Sequence, residues 1–205
     1  MERSIITISR EYGSGGRRIG ELLAEMVGVP FYDRDIIKLS AENLGMSTEV
    51  IEETDESIPS TFLHNLTYSA YSVFDYVALY DIPVTDKVFL AQSEVIKELA
   101  LKGSCIIVGR CADHVLCDDP DLVKVFIRAE VEDRIKLATN EYDLPTDKAV
   151  ESIKKIDKSR KNYYRHYTNR QWGNVANYDI VLNSSFTGIE GAVAVIRTLL
   201  DTKKV

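Results

Sequence analysis

Apolar residues along this 205-residue chain come in short β-branched runs that alternate with longer stretches of helical spacing. The runs predict five strands, near Ser4–Ile8, Pro30–Tyr32, Cys105–Gly109, Leu122–Arg128 and Tyr178–Asn183. Apolar residues at every third or fourth position predict helices between them, at 17–27, 86–102, 131–139, from 146 into the 160s and at 189–200. This alternation favours an α/β fold, a three-layer, doubly wound parallel sheet of about five strands covered on both faces.

Residues that start and stop helices support these assignments. Gly28 and Gly103 follow the last apolar positions of two helices, where glycine readily adopts the left-handed conformation that ends a helix. Thr85 and Thr146 precede helical stretches, and threonine hydroxyls cap helix N-termini. We therefore expect helices to begin directly after these two threonines.

A glycine-rich turn, Gly13-Ser14-Gly15-Gly16, joins the first predicted strand to the first predicted helix. Glycines let successive amides converge on one anion while the following helix points its positive end there, so the turn predicts a phosphate cradle. In the P-loop pattern G-x-x-x-x-G-K-[ST], Gly15 would be the second glycine. Arg10 then takes the place of the first glycine and Gly16 that of the lysine, and arginines follow instead of a hydroxyl residue. The alternative is a turn that binds nothing.

Charged side chains follow or end each of the first four predicted strands. In a doubly wound sheet, ligands bind at the carboxyl ends of the strands, so these side chains are expected to meet at one edge. Each also has a plain alternative, since strand-to-helix turns are polar in general and an aspartate there could simply cap the next helix. In chain order the residues are Arg10, Asp33, Arg34, Asp35, Arg110 and Arg128.

Between residues 45 and 85 the pattern changes to two predicted helices that form an insert. The apolar stripe of the second helix is typical of a packed core. Its off-stripe tyrosines could instead line a base-binding cleft or a homodimer face, and the pattern does not choose between these interpretations. The aromatic residues of this helix are Phe62, Tyr68, Tyr71, Phe74, Tyr76 and Tyr80.

Composition narrows the class of protein. No run of eighteen apolar residues and no signal-peptide pattern is present, so we expect a soluble, cytoplasmic protein with no membrane partner. Cys105, Cys111 and Cys117 are six residues apart, which suits neither a zinc site nor a disulfide framework and predicts buried or semi-buried free thiols. The net charge of -7 disfavours a general nucleic-acid binder.

The charge is unevenly distributed along the chain. Between Lys154 and Arg170 there are seven basic residues and one acid, Asp157. A basic segment on an acidic body suggests a discrete anionic ligand such as a nucleotide, whereas a solvated helix face is the alternative. On a helix, Asp157 would stand three and four residues from Arg160 and Lys161, so we expect it to orient either cation.

Four stretches of sequence are informative together. They are Ile-Thr-Ile-Ser-Arg-Glu-Tyr-Gly-Ser-Gly-Gly (6–16), Phe-Tyr-Asp-Arg-Asp-Ile-Ile (31–37), Ile-Val-Gly-Arg (107–110), and the segment 157–179 with Asp-x-x-Arg-x-x-Tyr-Tyr, Trp-Gly and Asn-Tyr-Asp. They resemble the cytidylate kinase-like branch of the P-loop nucleoside monophosphate kinases over nearly the whole chain. The resemblance implies one P-loop NTP hydrolase-like domain (1–205) with a monophosphate-binding helical insert near 45–85 and a mobile lid near 145–175.

The resemblance also implies ATP and Mg²⁺ as cofactors, and roles for single residues. The glycine turn, with Arg10, would hold donor phosphates. Arg110 would hold the acceptor phosphate, and Asp157 with Arg160 matches the lid motif. The remaining residues expected around the acceptor are Asp33, Arg34, Asp35, Lys38, Arg128, Lys161 and Tyr164, of which Tyr164 could instead pack the lid helix onto the core.

Phosphoryl transfer needs cations that neutralise the phosphoryl oxygens, and the planar arginine fork pairs well with phosphate. Arg17 or Arg18 could therefore replace the lysine as a catalytic cation, with Arg160 as a charge clamp. For Mg²⁺, the candidate ligands are Ser14, or Asp33 and Asp35 through water.

Two functions remain open on the sequence alone. One is ATP-dependent phosphoryl transfer to a nucleoside monophosphate, cytidylate by resemblance, or to another small phosphorylated metabolite. The other is a catalytically weak or inactive nucleotide-binding regulatory protein, favoured by the missing lysine and hydroxyl. The basic lid segment favours the kinase, because a passive sensor has little need to neutralise a transition state.

Overall fold

The five predicted strands are all present in the computed structural model, which describes residues 3–56, 82–142 and 144–202. The aromatic helix of the insert, and with it the homodimer hypothesis, lies outside the described residues. The strands are β1 (Ile5–Arg10), β2 (Phe31–Tyr32), β3 (Cys105–Val108), β4 (Leu122–Arg128) and β5 (Ile180–Asn183).

The strands form one parallel sheet in the order β2-β3-β1-β4-β5. β1 is central, with Ile8 paired to Val108 of β3 on one side and to Val125 of β4 on the other. The carboxyl ends of β1, β3 and β4 therefore lie side by side. This confirms the predicted sheet and brings the residues that follow these strands to one edge.

Helices cover both faces of the sheet, as in other parallel sheets that are buried on both sides. On one face, α1 and α8 pack against Ile6 and Ile8 of β1. On the other face, α2 and α4 pack around Ile5 and Ile107. The helices are α1 (Gly16–Val27), α2 (Arg34–Leu44), α3 (Thr48–Thr54), α4 (Val84–Leu101), α5 (Ala112–Val115), α6 (Val131–Glu141), α7 (Ala149–Thr168) and α8 (Ser184–Thr202).

The predicted end of α1 is confirmed, but two predicted helix starts are wrong. Gly28 ends α1 in the left-handed conformation, with its N–H donating to the Ala24 carbonyl. α4 already begins at Val84, so Thr85 lies inside its first turn. Thr146 opens a 3₁₀ turn, and α7 starts only at Ala149. In both places a proline comes before the predicted cap, and its fixed φ sets the chain for a helical turn at the next residue.

An aromatic cluster fixes α7 to the sheet. Trp172 and Tyr178 pack against Phe126 of β4, the indole ring edge-on at 5.2 Å between ring centres. Tyr163 and Tyr164 of α7 are buried in the same cluster. Each fully buried aromatic side chain of this size contributes about 1.5–3 kcal/mol. The cluster therefore holds the basic helix over the carboxyl edge of the sheet.

The exposure of the basic side chains on α7 decides between the two interpretations of part of the basic segment. Lys154, Lys155 and Lys158 are exposed, so this part of the basic segment is a solvated helix face. Arg160 alone of the seven basic residues is half-buried, and it faces the sheet edge.

The free-thiol prediction is confirmed for Cys105 and Cys111, which are buried, whereas Cys117 is exposed. Burial raises the pKa of the Cys105 thiol to about 11. Within the described ranges, none of the helices combines the length and the apolar character that crossing a bilayer requires.

Candidate functional site

The glycine bend, residues 11–16, connects β1 to the first turn of α1. Gly13 and Gly15 have φ of 77° and 75°, the left-handed region that favours glycine. A Cβ on Gly13 would lie 2.5 Å from the carbonyl oxygen of Arg134, so a side chain is also excluded there by contact. The bend thus has the strand–turn–helix form that directs backbone N–H groups and a helix N-terminus at an anion.

Asp157 and Arg134 hold the bend in place. Asp157 accepts a hydrogen bond from the Tyr12 amide at 2.9 Å and pairs with the Arg134 guanidinium, which in turn donates to the Tyr12 carbonyl at 2.7 Å. Behind the bend, the Ser184 hydroxyl donates to the Ser14 carbonyl at 2.7 Å. We call the Asp157–Arg134 pair and its bonds to Tyr12 the clamp.

The clamp corrects one prediction. Asp157 was expected to orient Arg160 or Lys161, its neighbours on the same helix. Its two carboxylate oxygens are instead engaged by the Tyr12 amide and by Arg134, which comes from α6. The buried ion pair between two helices replaces the exposed pair along one helix because Asp157 faces the bend and not the solvent.

Three arginines converge beside the bend, and we call them the arginine cluster. Arg10 ends β1, Arg110 follows the neighbouring strand β3, and Arg160 comes from α7. Their side chains are only 13%, 3% and 14% exposed, respectively. Arg160 also donates to the carbonyl of Arg10 at 3.2 Å, so α7 and the end of β1 are tied together. The neighbouring strand ends and the aromatic cluster therefore bring three positive charges to one place.

The carboxylate of Glu56 lies among these arginines. One of its oxygens accepts from Arg10 Nη1 at 2.6 Å and from the Arg110 amide at 3.2 Å. The other accepts from Arg160 Nε at 2.9 Å. A side chain on Gly109 would collide with both Arg10 and Glu56, so this glycine lets the ion pair lie directly on the end of β3.

Arg110 faces away from Glu56 toward two further carboxylates. It pairs with Asp33 at 3.0 Å and with Asp55 at 2.8 Å. The second oxygen of Asp33 pairs with Arg17 at 2.9 Å. Asp33 therefore occupies the position before α2 without making a side-chain cap bond, because its oxygens are used by arginines.

The pKa shifts in this group follow from burial and from the neighbouring charges. Burial alone would raise the pKa of Glu56, but Arg10 and Arg160 outweigh it, and the pKa is held well below its usual range. Burial by itself would lower the pKa of Arg10, but the Glu56 carboxylate outweighs this effect and the pKa is raised. Burial raises the pKa of Asp55 despite the nearby Arg110. The cluster is therefore a compensated set of buried charges.

The predicted site residues divide into two groups in the structure. Arg10, Asp33, Arg110 and Arg160 come together beside the bend, with Arg17 at the border through its pair with Asp33. Arg18 is about half exposed and is 3.8 Å from Glu21. The predicted acceptor residues exposed near the start of α2 are Arg34, Asp35 and Lys38.

Arg128 and Lys161 line a separate open cleft next to the arginine cluster. The cleft has a volume of about 270 Å³ and is bordered by Glu11 and Trp172. Arg128 is 3.3 Å from Glu130 and remains about half exposed. These two cations are therefore near the cluster without belonging to it.

Tyr164 lies in the aromatic cluster and not on the cleft surface. Its ring is 2% exposed, and its hydroxyl donates to Asp113 at 2.7 Å. Burial, followed by the charge of Asp113, raises its pKa. Tyr167 is stacked on Phe89 with 3.9 Å between ring centres. Packing of the helix onto the core, the alternative considered for Tyr164, is what the structure shows for these rings.

The predicted magnesium ligands do not form a ready-made site. Ser14 is buried and its hydroxyl donates to the Glu11 carbonyl, both oxygens of Asp33 are paired with arginines, and Asp35 is exposed on α2. In the part of the chain that the structure describes, no three His, Cys, Asp or Glu side chains gather as a metal site. Magnesium therefore stays a prediction.

The sequence pattern did not point to Glu56, Asp55 or Arg134 as residues of the site. Arg134 could have been found from the spacing of residues along its helix. It comes three residues after Val131 and four before Ala138, which places it on the apolar side of the helix. A charged residue on that side indicates a buried partner. Glu56 and Asp55 had no such signal, because they belong to a polar turn and meet the arginines only through the tertiary fold.

Comparison with known proteins identifies the family. The family model described as the cytidylate kinase-like family matches residues 5–186. A cytidylate kinase of Methanocaldococcus jannaschii is 24% identical over 110 residues, which are 52% of this chain and 61% of that protein.

Solved structures show the same fold. An uncharacterized protein from Eubacterium ventriosum has 26% identity and a TM-score of 0.70, covering 98% of this chain and 100% of the other. The shikimate kinase of Bacteroides thetaiotaomicron has 14% identity and a TM-score of 0.57, with 98% and 99% covered. The fold is thus the α/β fold of P-loop kinases, and the chain belongs to the cytidylate kinase-like family.

Proposed function

We propose that this protein is a kinase that transfers the γ-phosphoryl group of ATP, with Mg²⁺ as counter-ion, to a nucleoside monophosphate. A cytidylate-like nucleotide is the first acceptor to test. One observation carries the proposal: three arginines with little exposure to solvent converge beside the glycine bend, Arg10 and Arg160 on the carboxylate of Glu56 and Arg110 on Asp33 and Asp55. Positive charge that is this concentrated and this buried is typical of phosphate recognition.

On the donor side, the amides of the glycine bend and the N-terminus of α1 would hold the phosphates of ATP. The clamp holds the start of the bend through the Tyr12 amide and carbonyl, so the amides of Gly13, Gly15 and Gly16 would be oriented before the nucleotide arrives. Preorganised donors of this kind avoid the reorganisation that water would have to undergo during the reaction.

On the acceptor side, the contacts of Glu56 indicate what the cluster binds. Two guanidiniums and one backbone amide donate to its carboxylate. The same three donors would suit a phosphate group. We infer that the acceptor phosphate takes the place of Glu56. Arg128 and Lys161, in the neighbouring cleft, and the polar start of α2 would then contact the rest of the nucleotide.

In the transfer itself, an oxygen of the acceptor phosphate would form a bond to the γ-phosphorus of ATP. The bond between that phosphorus and the β–γ bridging oxygen breaks, and ADP leaves with the electron pair. Arg10 and Arg160 would neutralise the oxygens of the moving group, and the clamp would keep the donor in line.

A coupled assay tests this function. Purified protein with ATP and Mg²⁺ is offered CMP, dCMP, UMP, AMP and GMP, with shikimate as a non-nucleotide acceptor suggested by the fold alone. ADP formation with at least one monophosphate, above the rate without acceptor, is the expected result. Turnover of shikimate but of no nucleotide would overturn the choice of acceptor.

A nucleotide-binding regulatory protein is the second candidate. It is favoured by Gly16 in the lysine position and by the full compensation of the arginine cluster, which keeps the cations engaged. Binding of ATP by calorimetry without ADP formation for any acceptor would favour it over the kinase.

A further inference from the structure

We infer that Arg10 supplies the phosphate-binding cation that a conventional P-loop carries on its lysine, and that the cation and a glycine have exchanged places in this chain. Arg10 stands where the P-loop pattern has its first glycine, and Gly16 stands where it has its lysine. The inference rests on the proposed function and assigns one residue of that site, with the polyphosphate of a nucleoside triphosphate as ligand.

The Arg10 side chain explains why position 16 is a glycine. A Cβ on Gly16 would lie 2.5 Å from the Cβ of Arg10 and 3.1 Å from its Cγ. Gly16 is the first residue of α1, and its φ is outside the left-handed range that other glycines of the bend adopt. The Arg10 side chain, and not the backbone conformation, therefore excludes a side chain at position 16.

The Arg10 side chain runs along the first turn of α1 toward the end of β3. It starts against the first turn of α1 and ends beside Gly109, where its guanidinium meets Glu56. It thus spans the distance from the glycine bend to the arginine cluster. The P-loop lysine reaches the β- and γ-phosphates from the first turn of the helix, and the Arg10 guanidinium would reach them from the neighbouring strand end.

The other candidate cations, Arg17 and Arg18, are directed toward carboxylates other than Glu56. The Arg17 side chain is 42% exposed and pairs with Asp33 and Glu21, and that of Arg18 is 53% exposed and close to Glu21. Arg10 is only 13% exposed, so its charge is screened much less by water.

The exchange can be reversed by mutation. The test compares wild-type protein with Arg10→Met, which keeps the stem and removes the charge, with Gly16→Lys, and with the double variant Arg10→Gly/Gly16→Lys. Inorganic tripolyphosphate is titrated by calorimetry at low salt, and urea unfolding checks that each variant is folded. Arg197→Ala, which removes an exposed arginine from α8, is the matched control for loss of one positive charge.

We expect Arg10→Met to bind tripolyphosphate at least about tenfold more weakly than wild type, since a charge-assisted contact is lost. Gly16→Lys is expected to bind weakly as well, because its new side chain overlaps Arg10. The double variant should return to within about threefold of wild type, and Arg197→Ala should stay there throughout. A purely structural role for Arg10 would not be rescued by a lysine placed six residues away.

Three results would overturn the inference: Arg10→Met binding as tightly as wild type, a double variant no better than Arg10→Met, or no binding by the wild-type chain. Failure of the proposed function looks different. In that case the expected affinities are found, but the kinase assay yields no ADP with any monophosphate.

Discussion

The clamp and the arginine cluster both adjoin the glycine bend, and they are built in opposite ways. In the clamp, one carboxylate and one guanidinium are bonded to the backbone of Tyr12, so their charges are committed to the fold. In the cluster, Glu56 contacts Arg10 and Arg160 through side chains and a single Arg110 amide. A ligand could replace Glu56 without disturbing the sheet, whereas nothing could replace Asp157 without moving the bend.

This difference suggests a division of labour. In the proposed function, the donor half would be held in place by hydrogen bonds to the backbone, and the acceptor half would be exchangeable because its charges are balanced by other side chains. Four predictions test the contrast.

Replacing Asp157 with Asn should lower the free energy of unfolding by about 3 kcal/mol, since the buried Arg134 loses the nearer of its two carboxylate partners and keeps only Glu11. Urea unfolding at pH 7 measures this change. Asp201→Asn, at an exposed pair with Arg197, is the control and should lose no more than about 0.5 kcal/mol. Equal losses in the two variants would contradict the claim that the clamp is structural.

Replacing Glu56 with Gln should lower the stability of the fold but raise its affinity for CMP. The unfolding free energy falls by about 1.5 kcal/mol, because charge-assisted hydrogen bonds are lost. The affinity for CMP should rise about tenfold, since the competing carboxylate is gone, an expected gain of about 1.4 kcal/mol. Calorimetric titration measures this affinity, and Glu190→Gln, at an exposed position on α8, should leave it unchanged. Weaker CMP binding by the Glu56 variant would contradict an exchangeable cluster.

The third prediction concerns pH. The pKa of Glu56 is lowered in the folded protein, so its contribution to stability is complete above its unfolded pKa and is lost as the pH falls below that value. With an unfolded pKa of about 4.3, the difference in unfolding free energy between wild type and Glu56→Gln should shrink by about 1 kcal/mol between pH 5 and pH 3. Urea unfolding of both proteins at these pH values measures it. A constant difference would mean that the carboxylate is not held charged by the arginines.

The smallest effects are expected at the start of α1. Arg17→Ala should weaken ATP binding more than Arg18→Ala does, because Arg17 also pairs with Asp33. Neither loss should exceed about threefold, since both charges are substantially exposed. Calorimetry with ATP measures both. A tenfold loss in either variant would return the lysine's role to that residue and away from Arg10.

The sequence predicted the sheet well because its signal is local. Ile5-Ile6-Thr7-Ile8 is β-branched at every position, and Ile106-Ile107-Val108 is both β-branched and apolar, as is typical of buried parallel strands. Gly28 identified a helix end by its own conformational preference. The start at Thr146 was wrong because the preceding proline determines where the helical turn begins.

The site was predictable only in part, because sequence shows which residues follow a strand but not which way they point. Arg10, Asp33 and Arg110 were found at the strand ends, and the sheet order brings them together. The partners of Arg160 and Asp157 come from segments far away in the chain, Glu56 and Arg134, and spacing along one helix pointed to the wrong pairs. Long-range charge pairs depend on the packing of elements, which periodicity does not encode.

Asp55 and Glu56 are consecutive residues, and each serves a different part of the cluster: Asp55 pairs with Arg110, and Glu56 with Arg10 and Arg160. Displacing this one dipeptide would free Arg10 and Arg160 in a single event and leave Arg110 paired with Asp33 alone. The positive charge of the pocket would then rise in one movement and not residue by residue. Attraction of anions from solution would therefore begin abruptly, and only in molecules whose dipeptide has already moved.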